Sequence, residues 1–189
     1  MTDFQLEKFR KAVKTKDGAL VVLRPLVPED RDRLVALFRD LPAPDRVLLK
    51  HDVIQEDLVA SWAEDVDYDS VFPLVAVIDD AIVADATLHR APHTATRHVA
   101  EVRITIGHSM QGRGLGVIML EEILAIADKL GLEQVMAQVP LASTVAQRAF
   151  ERAGFKQEAV FKDFFKAADG TYYDVAVLFL ALRRRWEEF

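Results

Sequence analysis

The chain has 189 residues, of which 51% are hydrophobic and 29% charged, so it can bury a sizeable core and is not a disordered polymer. Its 24 Lys and Arg stand against 30 Asp and Glu, a net charge of −6, which argues against a broad nucleic-acid surface and leaves no nucleic-acid partner expected. With no cysteine, disulfides, thiolate metal sites and thiol nucleophiles are excluded.

The start, "MTDFQLEKFRKAVKTKDG", is too charged for the apolar segment of a signal peptide. No apolar run approaches the roughly 18 residues that a membrane span requires. The expectation is therefore a cytoplasmic chain with no membrane partner, and the simplest organisation is one domain over 1–189. Leu6, Phe9 and Val13 form a short amphipathic pattern, read as a packing extension or, if exposed, as a homodimer contact.

The segment "KAVKTKDGALVVLRPL" predicts a hairpin turning at Asp17-Gly18, a pair suited to positive φ. From Glu29 to Leu41, apolar residues at Leu34, Leu37, Phe38 and Leu41 predict a helix, ended by Pro42 and Pro44. A second helix is read over roughly 53–65. "FPLVAVIDD" and "AIVADATLHR" predict strands joined at Asp79-Asp80, and after a polar loop comes a strand over Val99 to Ile106. A helix follows from about Gly114 to Leu130, stopped by Gly131. "EQVMAQV" is another short strand. Ser143 is read as the cap of a helix whose Ala146, Ala149, Phe150 and Ala153 share a face, ended by Gly154. "FKQEAVFKDFFK" and "YYDVAVLFLAL" predict a closing hairpin across "ADGT", and "RRRWEEF" reads as a solvated tail. The order, hairpins at both ends around a strand–helix–strand–helix middle, defines a mixed α/β (α+β) domain.

One stretch carries chemistry. "QGRGLG", Gln111 to Gly116, places three glycines between a strand and a strongly apolar helix. One positive-φ residue suffices for a tight turn, so three ask for another reason. The first N–H groups of a helix lack intrahelical acceptors and, with the helix dipole, bind anions when no side chain blocks them. Arg113 adds a cation. The pattern reads as a phosphate cradle, but it lacks the Gly-Lys-Ser/Thr of a nucleotide-triphosphate loop. It also lacks the third small residue and distal acid of a dinucleotide fold, with Val117 and Val139-Pro140 in their places.

"QGRGLG" is similar to the Gln/Arg-x-x-Gly-x-Gly/Ala motif of the GNAT superfamily of N-acetyltransferases. "GALVVLRPLVPEDRDRLVALFRD" resembles that family's first strand and helix, and "AQRAFERAGF" its fourth helix ending in Gly-Phe. The resemblance implies a GNAT fold: a mostly antiparallel mixed sheet of about seven strands, splayed between strands 4 and 5, flanked by about four helices. It also implies acetyl-CoA as co-substrate, an amine as acceptor and no metal; His89, His93 and His98 are not read as ligands.

Residue by residue, the resemblance puts the pantetheine arm along Ile104, Thr105 and Ile106 and the pyrophosphate over the amides of Gln111, Gly112, Arg113, Gly114, Leu115 and Gly116, with Val117 next. Glu101 matches the family's base by location, with a pairing to Arg103 or Arg97 as its structural alternative; Asp174 is a weaker candidate. At the fourth helix the family's Asn and Tyr are replaced by Ser143 and Phe150, so the usual tyrosine acid is missing. Water, Tyr172 or Tyr173 would have to protonate the thiolate. The competing class is a non-catalytic sensor that binds acyl-CoA without turnover. Asp45, Asp52, Glu56 and Asp57 fit either a cationic acceptor or an ordinary exposed acidic helix.

Overall fold

The computed structural model describes residues 5–46, 49–167 and 169–182; the "RRRWEEF" segment lies outside them. Eight strands form one sheet in the order β1-β2-β3-β4-β5-β6-β8-β7. They are β1 (Lys11–Lys14), β2 (Leu20–Pro25), β3 (Val71–Ile78), β4 (Ala81–Arg90), β5 (Val99–Ile106), β6 (Gln134–Pro140), β7 (Lys156–Lys166) and β8 (Tyr172–Ala181). Among the described residues five α-helices accompany them: α1 (Arg31–Arg39), α2 (Ala43–Arg46), α3 (Glu56–Glu64), α4 (Leu115–Lys129) and α5 (Thr144–Arg152). The sheet thus has one strand more than the family pattern implies, and the short α2 adds a fifth helix.

Local chemistry accounts for the connections. Asp79 and Asp80 both take positive φ, 45° and 67°, and close a two-residue hairpin between β3 and β4. Every neighbouring pair is antiparallel except β5 with β6, which runs parallel and needs α4 as its crossover.

Two apolar clusters sandwich the sheet. On one face Met119, Leu120, Ile123 and Ile126 of α4 pack on Ala86, Leu88, Ala100 and Val102. On the other, Leu34, Phe38, Val59 and Ala63 from α1 and α3 meet Val75. β3 serves both, so it reads as an unbroken apolar run. Leu6, Phe9 and Val13 are partly buried against the α4 side, where they extend the core.

Candidate active site: a cleft where two parallel strands part

β5 and β6 pair only at Val99–Gln134, Ala100–Val135 and Glu101–Met136. Beyond Glu101, β5 continues to Ile106 bonded to β4 alone, and β6 continues to Pro140 bonded to β8 alone. The facing backbone edges of 102–106 and 137–140 are therefore left without a strand between them, the splay that an extended ligand can fill. It opens into a cleft of about 1270 Å³, lined by Ile104, Thr105, Ile106, Gly112, Ser143 and Phe150 among others.

The glycine loop closes one end. Gly112 and Gly114 have φ of 72° and 82°, a region costly for any other residue. Gly116 is different: it is helical, and an added Cβ would only touch Ile106 at 3.5 Å, an ordinary contact. Folding does not require glycine at 116, and its bareness leaves the loop open toward the cleft. Among the described residues the N–H groups of 112–117 find no backbone acceptor, whereas that of Gln111 donates to the carbonyl of His108 at 3.3 Å. The free amides thus begin one residue later than the motif suggests. The Gln111 side chain is also engaged, donating to Asp45 at 2.7 Å. Leu115 is buried in the core, and Val117 is exposed at the cleft wall.

Arg113 does not point its charge into the cradle. It forms an ion pair with Asp17 at the β1–β2 turn and leans on Met110 Sδ at 3.1 Å. Hydrogen bonds from Arg113 and then Thr15 hold the Asp17 carboxyl down at about 2.

At the opposite end stands Glu101. Lys50 Nζ donates to both its oxygens at 3.0 Å, and Arg103 Nε and Nη2 do so at 3.1 Å. Burial alone would raise its pKa, yet the bonds from Arg103 and Lys50 outweigh that and hold the carboxyl below its usual range. Of the two structural partners considered for it, Arg103 is the one it meets. Arg103 also donates to His51 Nε2 at 2.9 Å. Burial, then the Arg103 charge, lowers the pKa of His51, consistent with a neutral acceptor ring.

Alternation carries this polar side along both strands. His89, Thr87 and Asp85 of β4 lie opposite Glu101, Arg103 and Thr105 of β5 on one face. His89 shares a 2.9 Å bond with Thr87, and burial pushes its pKa down to about 4.

Asp85 is the residue that sequence reasoning missed. It lines the cleft, is 7% exposed, and its Oδ1 has no hydrogen-bond partner among the described residues. Burial raises its pKa to about 7. The available signal was an acid flanked by alanines inside an apolar strand, "VADAT".

The other expected residues divide. Ser143 sits at the first position before α5 and lines the cleft, but its side chain makes no capping bond, since its φ and ψ of −88° and 65° depart from the extended shape a cap needs. Phe150 is 7% exposed and lines the cleft edge-on to Phe155, with ring centroids 5.0 Å apart. Tyr172 and Tyr173 stand outside the cleft lining: Tyr172 is over half exposed beneath Lys166 Nζ, 5.0 Å from its ring centre, and Tyr173 pairs with Phe165 in the closing hairpin. Asp174 is taken up by the amide of Asp163 at 2.9 Å. Of the acids near α3, Glu56 pairs with Arg39, and Asp52 accepts from Ile54 N and Gln55 Nε2.

A sheet parting beside free amides at a helix start, with α4 as the crossover, defines a class of coenzyme-binding transferase domains. The chain belongs to the acetyltransferase (GNAT) family, whose family model matches residues 34–155. It is similar to acetyltransferase Pat of Mycolicibacterium smegmatis, 27% identical over 156 residues, which cover 75% of this chain and 43% of that protein. The match thus spans less than half of that relative. Among solved structures, the GNAT domain of S. lividans PAT superposes with a TM-score of 0.75 at 25% identity, covering 92% of this chain and 97% of the other. The structure of yncA from Salmonella typhimurium with its cofactor acetyl-CoA shares the fold, with a TM-score of 0.73 at 18% identity over 87% of this chain and 95% of that one.

Proposed function

We propose that this chain transfers the acetyl group of acetyl-CoA to a primary amine. One observation carries the reading: strand pairing stops at Glu101–Met136, and the gap it leaves leads to the free amides of residues 112–117. An extended pantetheine arm bonds to the open edges of β5 and β6, and the pyrophosphate accepts from the cradle at the start of α4. Acetyl-CoA supplies the activated acyl group, and the acceptor is a small molecule, an amino acid or a protein amine. The domain is a single unit over 1–189, in a cytoplasmic setting.

In this role Glu101 takes the proton that the attacking amine must lose, directly or through a water. Held below the ordinary range by Lys50 and Arg103, it stays ionised at neutral pH but retains a proton poorly. It is therefore suited to passing a proton on rather than storing it. The departing thiolate has no tyrosine at 150, and with Tyr172 and Tyr173 outside the cleft lining its proton comes from water.

The test is release of free thiol from acetyl-CoA with a panel of small amines, amino acids and lysine peptides. At a hundredfold excess over its dissociation constant, acetyl-CoA should also stabilise the fold by about 2.7 kcal/mol. Thiol release with at least one amine class supports the reading. Stabilisation without release from any of them would establish the sensor, the alternative that Phe150 keeps open.

A further inference from the structure

The cradle at the start of α4 offers bare amides, but the arginine within it is spent. Arg113 is bound to Asp17, and its Nη1 reaches back toward the carbonyl of Ser109 at 3.4 Å. A diphosphate carries two negative charges, and amides alone leave much of that charge unmatched. The question is which cation serves the site.

The β1–β2 turn answers it. Gly18 has a φ of 87°, and the turn is closed by Thr15 N to the carbonyl of Ala19 at 3.0 Å and Gly18 N to that of Thr15 at 2.9 Å. This tight turn is fixed to the glycine loop twice: the Lys16 N–H donates to the carbonyl of Arg113 at 3.1 Å, and Asp17 holds the Arg113 guanidinium. Lys16 is thereby laid across Gly114. A Cβ at Gly114 would lie 3.0, 3.1 and 3.2 Å from Cγ, Cε and Cδ of Lys16, so the missing side chain is what lets the lysine cross. Lys16 lines the same cleft as Gly112, Gly114 and Gly116. Among the described residues it has no ion pair, while its neighbour Asp17 does.

Resting on the coenzyme A reading above, we propose that Lys16 is the cation of the phosphate cradle, delivered by the β1–β2 hairpin. The Asp17–Arg113 pair is the clasp that keeps the hairpin docked, which makes Arg113 a positioning residue. Lys16 lies outside residues 34–155, the part of the chain that matches the family model. The lysine is a flexible point charge, well suited to a phosphate that the amides have already oriented.

Lys16→Ala should raise the dissociation constant for coenzyme A about tenfold, the effect of one charge-assisted bond. The salt dependence of binding should become shallower, because one charge contact is gone. Lys16→Arg should restore most of the affinity. S-acetyl pantetheine, which lacks the diphosphate, should be handled alike by wild type and Lys16→Ala. With 3′-dephospho-coenzyme A a persisting tenfold loss assigns Lys16 to the diphosphate, and a vanished loss would place it on the 3′-phosphate and overturn the inference. Arg113→Ala should weaken binding in the wild type but add little in the Lys16→Ala background, since a clasp acts through what it holds.

Equal coenzyme A affinity in wild type and Lys16→Ala would overturn the inference and leave the coenzyme reading intact. So would an equal loss on S-acetyl pantetheine, or a full additive loss from Arg113→Ala. A wild type that binds no coenzyme A would instead sink the reading beneath it.

Discussion

The two ends of the cleft are built on opposite electrostatic plans. At the glycine-loop end most of the charge is partial and comes from the backbone: N–H groups of residues 112–117 at the start of α4, set in place by the positive φ of Gly112 and Gly114, with Lys16 lying across them. At the Glu101 end it is full and comes from side chains, with Lys50, Arg103, Glu101 and His51 locked in one network. Backbone dipoles do not titrate, so the first end suits an anion over a wide pH range. Side-chain charges titrate and can exchange protons, so the second end is where chemistry can be done. A transferase needs both, and separating them lets coenzyme binding and proton transfer vary independently.

That separation is sharpest at Glu101. Glu101→Gln keeps the size and removes proton acceptance, and it should lower turnover by roughly 10²- to 10⁴-fold. Steady-state kinetics should place the loss in kcat, with coenzyme A affinity nearly unchanged. A variant turning over normally at neutral pH would reduce Glu101 to a structural partner of Lys50 and Arg103.

The loop end is best broken at Gly116. Gly114 makes a poor probe because any side chain there is strained at φ 82° and strikes Lys16. At Gly116 a side chain fits the helix, so Gly116→Glu should leave the apo fold intact while setting a carboxylate against the phosphates. Like charges in contact cost several kcal/mol, so affinity for coenzyme A should fall by about 100-fold or more. Calorimetry would check this, and unchanged affinity would move the phosphates elsewhere.

These two ends were unequally legible in the sequence. The loop, its strand and its helix are contiguous in the chain, so glycine spacing and hydrophobic periodicity reported them together. The hairpin turn at Asp79-Asp80 and the helix stop at Gly131 were legible for the same reason, because turn chemistry is local. Glu101 was placed by its strand, but Lys50 comes from 51 residues away and no local pattern announces it. Lys16 is another long-range arrival, 98 residues before Gly114, and Arg113's partner Asp17 came with it. The tyrosines near the end were sought as acids from chain order alone. In the closing hairpin Tyr173 pairs with Phe165, and Phe165 rather than either tyrosine lines the cleft.

Asp85 tests whether the polar face of the sheet is tuned or merely tolerated. Its folded pKa is raised to about 7 from an ordinary 3.8, so the folded state binds more protons than the unfolded state between those values. Its contribution to stability is therefore largest below about pH 4 and is lost as pH rises through about 7. The shift corresponds to at most about 4 kcal/mol across that window. Asp85→Asn cannot ionise, so its melting temperature relative to wild type should climb steadily from pH 4 to pH 8. A constant difference across that range would mean that Asp85 finds a compensating charge in solution.

The smallest effect is expected at Phe150, and it bears on which end limits the reaction. Phe150 is packed against Phe155 and lines the cleft, so a hydroxyl added to its ring is expected to be accommodated toward the open side. If proton removal at Glu101 limits turnover, a new donor for the thiolate has little to accelerate. Phe150→Tyr should then change kcat by less than about threefold, well within what a general acid can supply when it is limiting. A gain of a hundredfold would invert the comparison: departure of the thiolate would be the slow step, and the wild type would be an enzyme held back at the coenzyme side of its cleft. The same measurement against several thiol leaving groups decides between these cases, because only a reaction limited by departure should respond to the basicity of the thiolate.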